Sequence, residues 1–330
     1  MAKDKIGLAL SAVNKFAGSP LVNKLKLRKP AEKIAYVSTR TGFQVISSAN
    51  AKVQQAKDFF APTDTKNIQN SALFDLSLSE EQQLIKDSLD RFSSEVIRPS
   101  AHQADNDELT PKEVLQQANE LGLLTYSATE KYGGYSDTPS TLTNVLIAES
   151  LACGDMGITC ALLSTVSVAN ALTRWGTEEQ KLNWLTPIIK SLDQPQALYA
   201  SIAINEPTPL FNPNKLLTSA TPTDDGYKLN GKKTAVTIGD KADFLLVAAT
   251  TPNGQQKLFI VNSALKGISI KHSHNMGLKA AELCSIDFDD VQLPEDALLG
   301  DDSFCYQTFI DLANLAWCGL AVGCAQAIQD

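Results

Sequence analysis

A chain of 330 residues with 43% hydrophobic and 20% charged side chains has enough apolar material for two well-filled cores, which excludes a wholly disordered protein. Its net charge of −8 excludes nucleic acid as the main partner, because phosphate neutralisation needs a basic face. Six cysteines (Cys153, Cys160, Cys284, Cys305, Cys318, Cys324) form no C-x-x-C pair and sit mostly among Ala, Leu and Gly, the pattern of reduced core thiols in a cytoplasmic protein.

The charge is uneven along the chain. Residues 1–40 hold nine basic and two acidic side chains, a local +7 that leaves −15 for the remainder. This basic extension, residues 1–73 with its linker, is weakly amphipathic, with Ile6, Leu10 and Val13 on one helical face and Phe16 at its edge. The apolar run at 6–13 is too short to span a bilayer and is interrupted by Asn14 and Lys15, so neither a signal peptide nor a transmembrane helix is expected. Two readings stay open for the extension. It packs on the body, or, with the smaller share, it lies peripherally on the inner membrane against anionic lipid. Pro62, Asp64, Thr65 and Asn67 mark 60–71 as a linker.

From residue 78 the pattern is helical. Ser79 and Gln82 form a capping box, followed by Leu84, Ile85, Leu89, Phe92 and Val96 at helical spacing, and Pro99 is expected to end that helix. A second helix over about 111–121 closes on Gly122. The segment 141–175 reads as two buried helices divided near Gly154 and Gly157. Thr177 with Gln180 is another capping box, opening a short helix that Pro187 follows. After Pro195 the period changes to two, with strands expected at 198–204, 216–221, 227–236, 244–249, 258–261, 268–271 and 284–288. From Asp302 a helical pattern runs to Asp330 without a C-cap. Phe309, Leu312, Leu315 and Leu320 are expected to form its exposed apolar face. These elements predict an α+β multidomain protein: an all-α domain at 74–195, a β-barrel-like middle domain at 196–300, and at 301–330 the first helix of a C-terminal helical bundle.

Ordered signatures run through these elements: Leu78-Ser-Glu-Glu-Gln82, Glu130-Lys-Tyr-Gly-Gly134, Gly176-Thr-Glu-Glu-Gln-Lys181 with Trp184-Leu185, Asn205-Glu-Pro207, Gly226-Tyr-Lys-Leu-Asn-Gly-Lys232, Met276-Gly-Leu278, and Phe288-Asp-Asp-Val291 with Pro294 and Leu299-Gly300. Over about residues 74–330 their order and spacing resemble the acyl-CoA dehydrogenase family. The resemblance implies FAD-dependent α,β-dehydrogenation of acyl-CoA thioesters to trans-2-enoyl-CoA, as in fatty acid β-oxidation. It also implies an electron-transfer flavoprotein or similar acceptor, and a homodimer or tetramer. Thr237 matches the hydroxyl residue of the family's W-I-T-N run, which bonds flavin N5. Asn205 stands where the family has Thr beside the flavin pyrimidine ring, and Ile202 and Ile204 fall where it lines the flavin.

Departures are equally specific. The family's Gly-Ser-Asp near the phosphates reads Leu210-Phe211-Asn212, Ala235 replaces a tryptophan, and Ile238 replaces an asparagine. Most members carry the catalytic glutamate in the third domain, beyond residue 330, as is the Arg-x-x-Phe-Gly run. A minority carry the base on that domain's first helix, where this chain has Ala313 beside Asn314. Asp311, two residues away, is rotated by about 200° from that face. An incomplete chain, inactive as it stands, is the expectation. The alternatives are a flavin oxidase or monooxygenase on the same fold, and a non-catalytic scaffold motivated by Leu210, Ala235, Ala313 and Asn314. His272 and His274 share one strand face, but no third ligand type lies at a metal spacing nearby, so no metal site is expected.

Overall fold

Ser79 opens the first helix of the described residues. Its hydroxyl accepts from the Gln82 N–H at 3.1 Å, and the Gln82 side chain accepts from the Ser79 N–H at 3.0 Å. The computed structural model describes residues 77–135, 140–192 and 197–329. The basic extension and the linker expected at 60–71 lie outside the described residues.

Helix α1 (Glu80–Phe92) does not stop at Pro99. It widens into a π turn at Ser93–Ile97, where the Arg98 N–H donates to the Ser93 carbonyl, and α2 (Arg98–Asp107) continues from it. A proline breaks a helix because it lacks an N–H and its ring strikes the carbonyl four residues back. The five-residue register just before the proline shifts those carbonyls out of its way. Pro187 repeats the device: the π turn Lys181–Leu185 has the Thr186 N–H bonded to the Lys181 carbonyl, and the helix resumes at Thr186–Ser191. Both expected stops are thus π turns within longer helices.

The remaining helices follow their caps. Helix α3 (Lys112–Leu121) ends on Gly122 at φ +83°, a conformation only glycine takes freely. Helix α4 (Thr141–Ala152) starts from Ser140, and α5 (Met156–Trp175) starts from Asp155, whose carboxylate accepts from the Ile158 N–H at 2.7 Å. Among the described residues two helices are long and apolar enough to cross a membrane. One is α5, which is buried among the other elements. The other is the last helix, here α6 (Tyr306–Gln329), which packs along α4.

Seven strands lie at the seven places the period-two pattern marks: β1 Ala200–Ala203, β2 Ser219–Thr223, β3 Gly226–Val236, β4 Phe244–Thr250, β5 Gln256–Asn262, β6 Ile268–His272 and β7 Cys284–Pro294. Strand β4 lies parallel to β1 (Ala200 opposite Phe244) and antiparallel to β5, while β2, β3, β7 and β6 form an antiparallel run. A single bridge between Ser219 and Thr250 joins the two parts into one curled sheet. Both faces of β4 are buried, which explains its unbroken apolar sequence. Phe244, Leu246 and Ala248 join the helical core with Ile158 and Leu162, while Leu245, Val247 and Ala249 pack inside the curl with Leu229, Phe259 and Ile286.

Helix α6 differs from expectation. Phe309 and Leu320 are buried, at 5% and 6% exposure, and the exposed large apolar side chains are Leu315, Trp317, Val322 and Ile328. Phe309 is covered by Trp175, with ring centroids 5.9 Å apart, whereas Leu320 is covered at a glycine seam. Gly319 and Gly323 let α6 approach α4 so closely that a Cβ on Gly323 would lie 2.0 Å from the Glu149 carbonyl oxygen.

Candidate functional site

Strand β1 sorts its side chains by alternation. Ser201 and Ala203 are buried toward the sheet, whereas Ile202 and Ile204 are half-buried and pack on the helical core. The strand ends at once, leaving Asn205 exposed and Glu206 buried. Two hydrogen bonds then join this segment to β3 and the turn after it. The Thr234 N–H donates to the Asn205 carbonyl at 2.9 Å, and the Ser201 hydroxyl donates to the Thr237 carbonyl at 2.7 Å. Thus Ile202, Ile204, Asn205 and Thr237, 32 or more residues apart between the two segments, come together at one edge of the sheet.

Thr237 is held from several directions. Ser164 on α5 also points its hydroxyl at the Thr237 carbonyl, at 3.5 Å, and the next N–H, of Ile238, donates to the Ala281 carbonyl at 3.1 Å. The Thr237 hydroxyl itself has no partner among the described residues, and neither has the Asn205 side-chain amide. A fixed backbone that presents unused donors is the arrangement a polar ligand edge requires.

Backbone strain clusters here. Leu210, Ala235 and Ile238 have φ of +53°, +51° and +44°, in the left-handed region that glycine and asparagine tolerate best. These are three of the positions where the sequence departs from the pattern it resembles. For the β-branched Ile238 the conformation is costly. Ala235 falls inside a register shift between β3 and β7, which turns the strand and leaves Ala235 exposed. Leu210 is fully exposed, so the chain turns there with its side chain in solvent.

Sequence reasoning missed the support beneath the site. Lys233 is completely buried, and its ammonium donates to Glu206 Oε1 and to the Ile204 carbonyl, each at 2.9 Å. Glu206 in turn accepts from the Leu217 N–H at 2.7 Å and the Thr218 N–H at 2.8 Å. Burial pushes the Lys233 pKa down to about 8, against the opposing pull of the Glu206 carboxylate it bonds to. Burial alone would raise the Glu206 carboxyl, but the two backbone N–H groups and Lys233 outweigh it and hold Glu206 below its ordinary value. One ion pair therefore ties together three chain segments behind Asn205. The Asn-Glu-Pro motif contains Glu206, but nothing in the strand pattern marks Lys233 as interior.

Two family profiles match the chain: acyl-CoA dehydrogenase, N-terminal domain, over residues 79–191, and acyl-CoA dehydrogenase, middle domain, over 201–291. The chain belongs to the acyl-CoA dehydrogenase family. It is 28% identical over 264 residues to the probable acyl-CoA dehydrogenase YngJ of Bacillus subtilis, a match covering 77% of this chain and 67% of that protein. It is 30% identical over 254 residues to a probable medium-chain specific mitochondrial acyl-CoA dehydrogenase of Caenorhabditis briggsae, covering 74% of this chain and 60% of that one. The solved butyryl-CoA dehydrogenase of Megasphaera elsdenii superposes with a TM-score of 0.67 at 28% identity, covering 77% and 68%. The chain thus spans 60–68% of the length of these relatives.

On α6, where a minority of the family is expected to place its base, Ala313 is half-buried and Asn314 exposed. Asp311 is exposed and accepts from the Gln307 side chain at 2.8 Å, one turn back on its own helix.

Proposed function

We propose that this chain supplies the flavin edge of an FAD-dependent acyl-CoA dehydrogenase, an oxidoreductase acting on CH–CH groups of fatty acyl-CoA thioesters. The observation that carries the reading is the Thr237 hydroxyl, unpartnered among the described residues, on a backbone pinned by Ser201 and Ser164, with the Asn205 amide likewise unpartnered among the described residues on the segment bonded to Thr234. This edge fits the polar rim of an isoalloxazine ring. Thr237 would hold it by its hydroxyl at N5, Asn205 by its amide at the pyrimidine side, and Ile202 with Ile204 would form an apolar wall that keeps water away. When bound, FAD accepts the hydride leaving the thioester's β-carbon. The partners that follow are the acyl-CoA substrate, an electron-transfer flavoprotein or similar acceptor, and further copies of the chain. The setting is cytoplasmic, with the basic extension as the point of any contact with the inner membrane.

Removal of the α-proton is a separate requirement. Neither Ala313 nor Asn314 can accept it, and the exposed Asp311 carboxylate lies about 200° around the helix from Ala313. Residues 1–330 are therefore proposed to bind flavin without turning over acyl-CoA.

Titrating FAD into the purified chain and following flavin fluorescence tests the proposal. Saturable quenching is expected, and Thr237→Ala should weaken binding about fivefold, the worth of one hydrogen bond of about 1 kcal/mol. Unchanged affinity would remove Thr237 from the site. No saturable binding at all would overturn the flavin reading and favour a non-catalytic scaffold.

A further inference from the structure

Two histidines and a glutamate converge at the end of the β6–β7 pair, where strand β6 runs out. Strand β6 ends at His272, opposite Cys284. The next residue is locked in place: the Ser273 N–H donates to the Leu283 carbonyl at 2.7 Å, and the Ser273 and Ser285 hydroxyls are 3.0 Å apart. Continued alternation puts His272 and His274 on one exposed face, with ring centroids 5.1 Å apart. Glu108 reaches them from the left-handed cap of α2, 166 residues before His274, and its Oε2 lies 3.2 Å from His274 Nδ1. The Glu108 loop is itself anchored, since the Thr110 N–H donates to Glu282 at 3.3 Å and the Thr110 hydroxyl donates to the Ala280 carbonyl at 2.8 Å.

We propose that Glu108, His272 and His274 form a surface site for one divalent transition-metal cation of the zinc class. One ligand atom from each residue lies within 4.8 Å of the other two. Bonds of about 2.0–2.2 Å to a common tetrahedral centre need ligand atoms about 3.4 Å apart, a contraction that rotation of exposed side chains supplies. Two imidazole nitrogens with one carboxylate oxygen suit Zn²⁺, Co²⁺ or Ni²⁺, whereas Ca²⁺ and Mg²⁺ require mainly oxygen. Lys279 is the competing cation, 4.0 Å from Glu108 Oε1, but it also lies 3.6 Å from Asp105 and keeps that partner when Glu108 turns to the metal. A second trio, Asp240, His272 and Cys284, shares His272, but its thiol is buried, so the more accessible trio is the better site. The expectation of no third ligand fails because Glu108 is distant in sequence and adjacent only in the fold. The site is independent of the flavin reading.

The chain has three histidines, and the third, His102, lies exposed on α2 beside Asn106, which makes it an internal control. Chelator-treated, untagged protein titrated calorimetrically with Zn²⁺ should bind one equivalent, and Mg²⁺ should give no heat. His274→Ala and Glu108→Gln should each weaken binding by roughly tenfold or more, while His102→Ala leaves it unchanged. Absence of stoichiometric binding overturns the proposal. So does zinc affinity that survives both substitutions, as zinc held by the exposed thiols Cys305 or Cys318 would, and so does loss of binding on changing His102.

Discussion

Lys233 carries its charge where no water reaches, and Glu206 is the reason it can. A buried ion pair contributes little compared with apolar residues of equal volume, but removing one partner strands the other, at a cost of about 3–5 kcal/mol. Lys233→Met should therefore lower the urea unfolding free energy by about that amount, and an effect under about 1 kcal/mol would mean that Glu206 finds water in the variant. The acid side has its own signature. The Glu206 carboxyl lies below the 4.5 of a free glutamate, so the folded state holds the proton less tightly than the unfolded chain. Its stabilisation is thus complete above pH 4.5 and is lost as pH falls through the lower folded value. Glu206→Gln should flatten the acid limb of a stability-against-pH curve, and an unaltered limb would show that other carboxylates govern it.

The seam between α4 and α6 inverts a propensity rule. Replacing a mid-helix glycine by alanine normally gains about 1 kcal/mol. At Gly323 the new Cβ would meet a backbone carbonyl that cannot rotate away, so Gly323→Ala should instead destabilise by about 1–3 kcal/mol. Val322→Ala, on the exposed side, should stay within about 0.5 kcal/mol. Thermal melts of the two variants give the comparison, and a raised melting temperature for Gly323→Ala would contradict the close approach. The elements that were legible in the sequence are those whose cause is local. The capping boxes at Ser79 and Thr177 act within three residues, and the strands announce themselves by alternation. Pro99 and Pro187 misled because a π turn is a tertiary accommodation without its own sequence mark. The exposed face of α6 was judged rightly at Leu315 but not at Phe309 and Leu320, for a related reason, since it depends on which neighbours the helix meets.

Across the described residues, the order helix, sheet, helix was readable from the change of period near Pro195, and the ordered motifs marked Asn205 and Thr237, whose segments are joined by hydrogen bonds. The supports were not readable: Lys233 beneath Asn205 and Glu108 beside His274 are pairings across the fold. The proposed division between binding flavin and removing a proton has a direct check. Purified chain with excess FAD and a series of acyl-CoAs should reduce an artificial electron acceptor no faster than a protein-free control, and clear turnover would reveal a base among these residues. The parallel pairing of β1 with β4 has a consequence for biosynthesis. Phe244 leaves the ribosome 44 residues after Ala200, a delay of about 2–9 s at translation rates of about 5–20 residues per second. During that interval β1 has no strand to pair with. Helix α5 is already synthesised, and its Thr165 hydroxyl accepts from the Ala200 N–H at 3.1 Å while Ser164 and Thr165 donate to the Ala200 carbonyl at 3.1 and 3.3 Å. Those two hydroxyls precede β1 in the chain, and in the folded structure they satisfy the Ala200 N–H and carbonyl without help from any later strand.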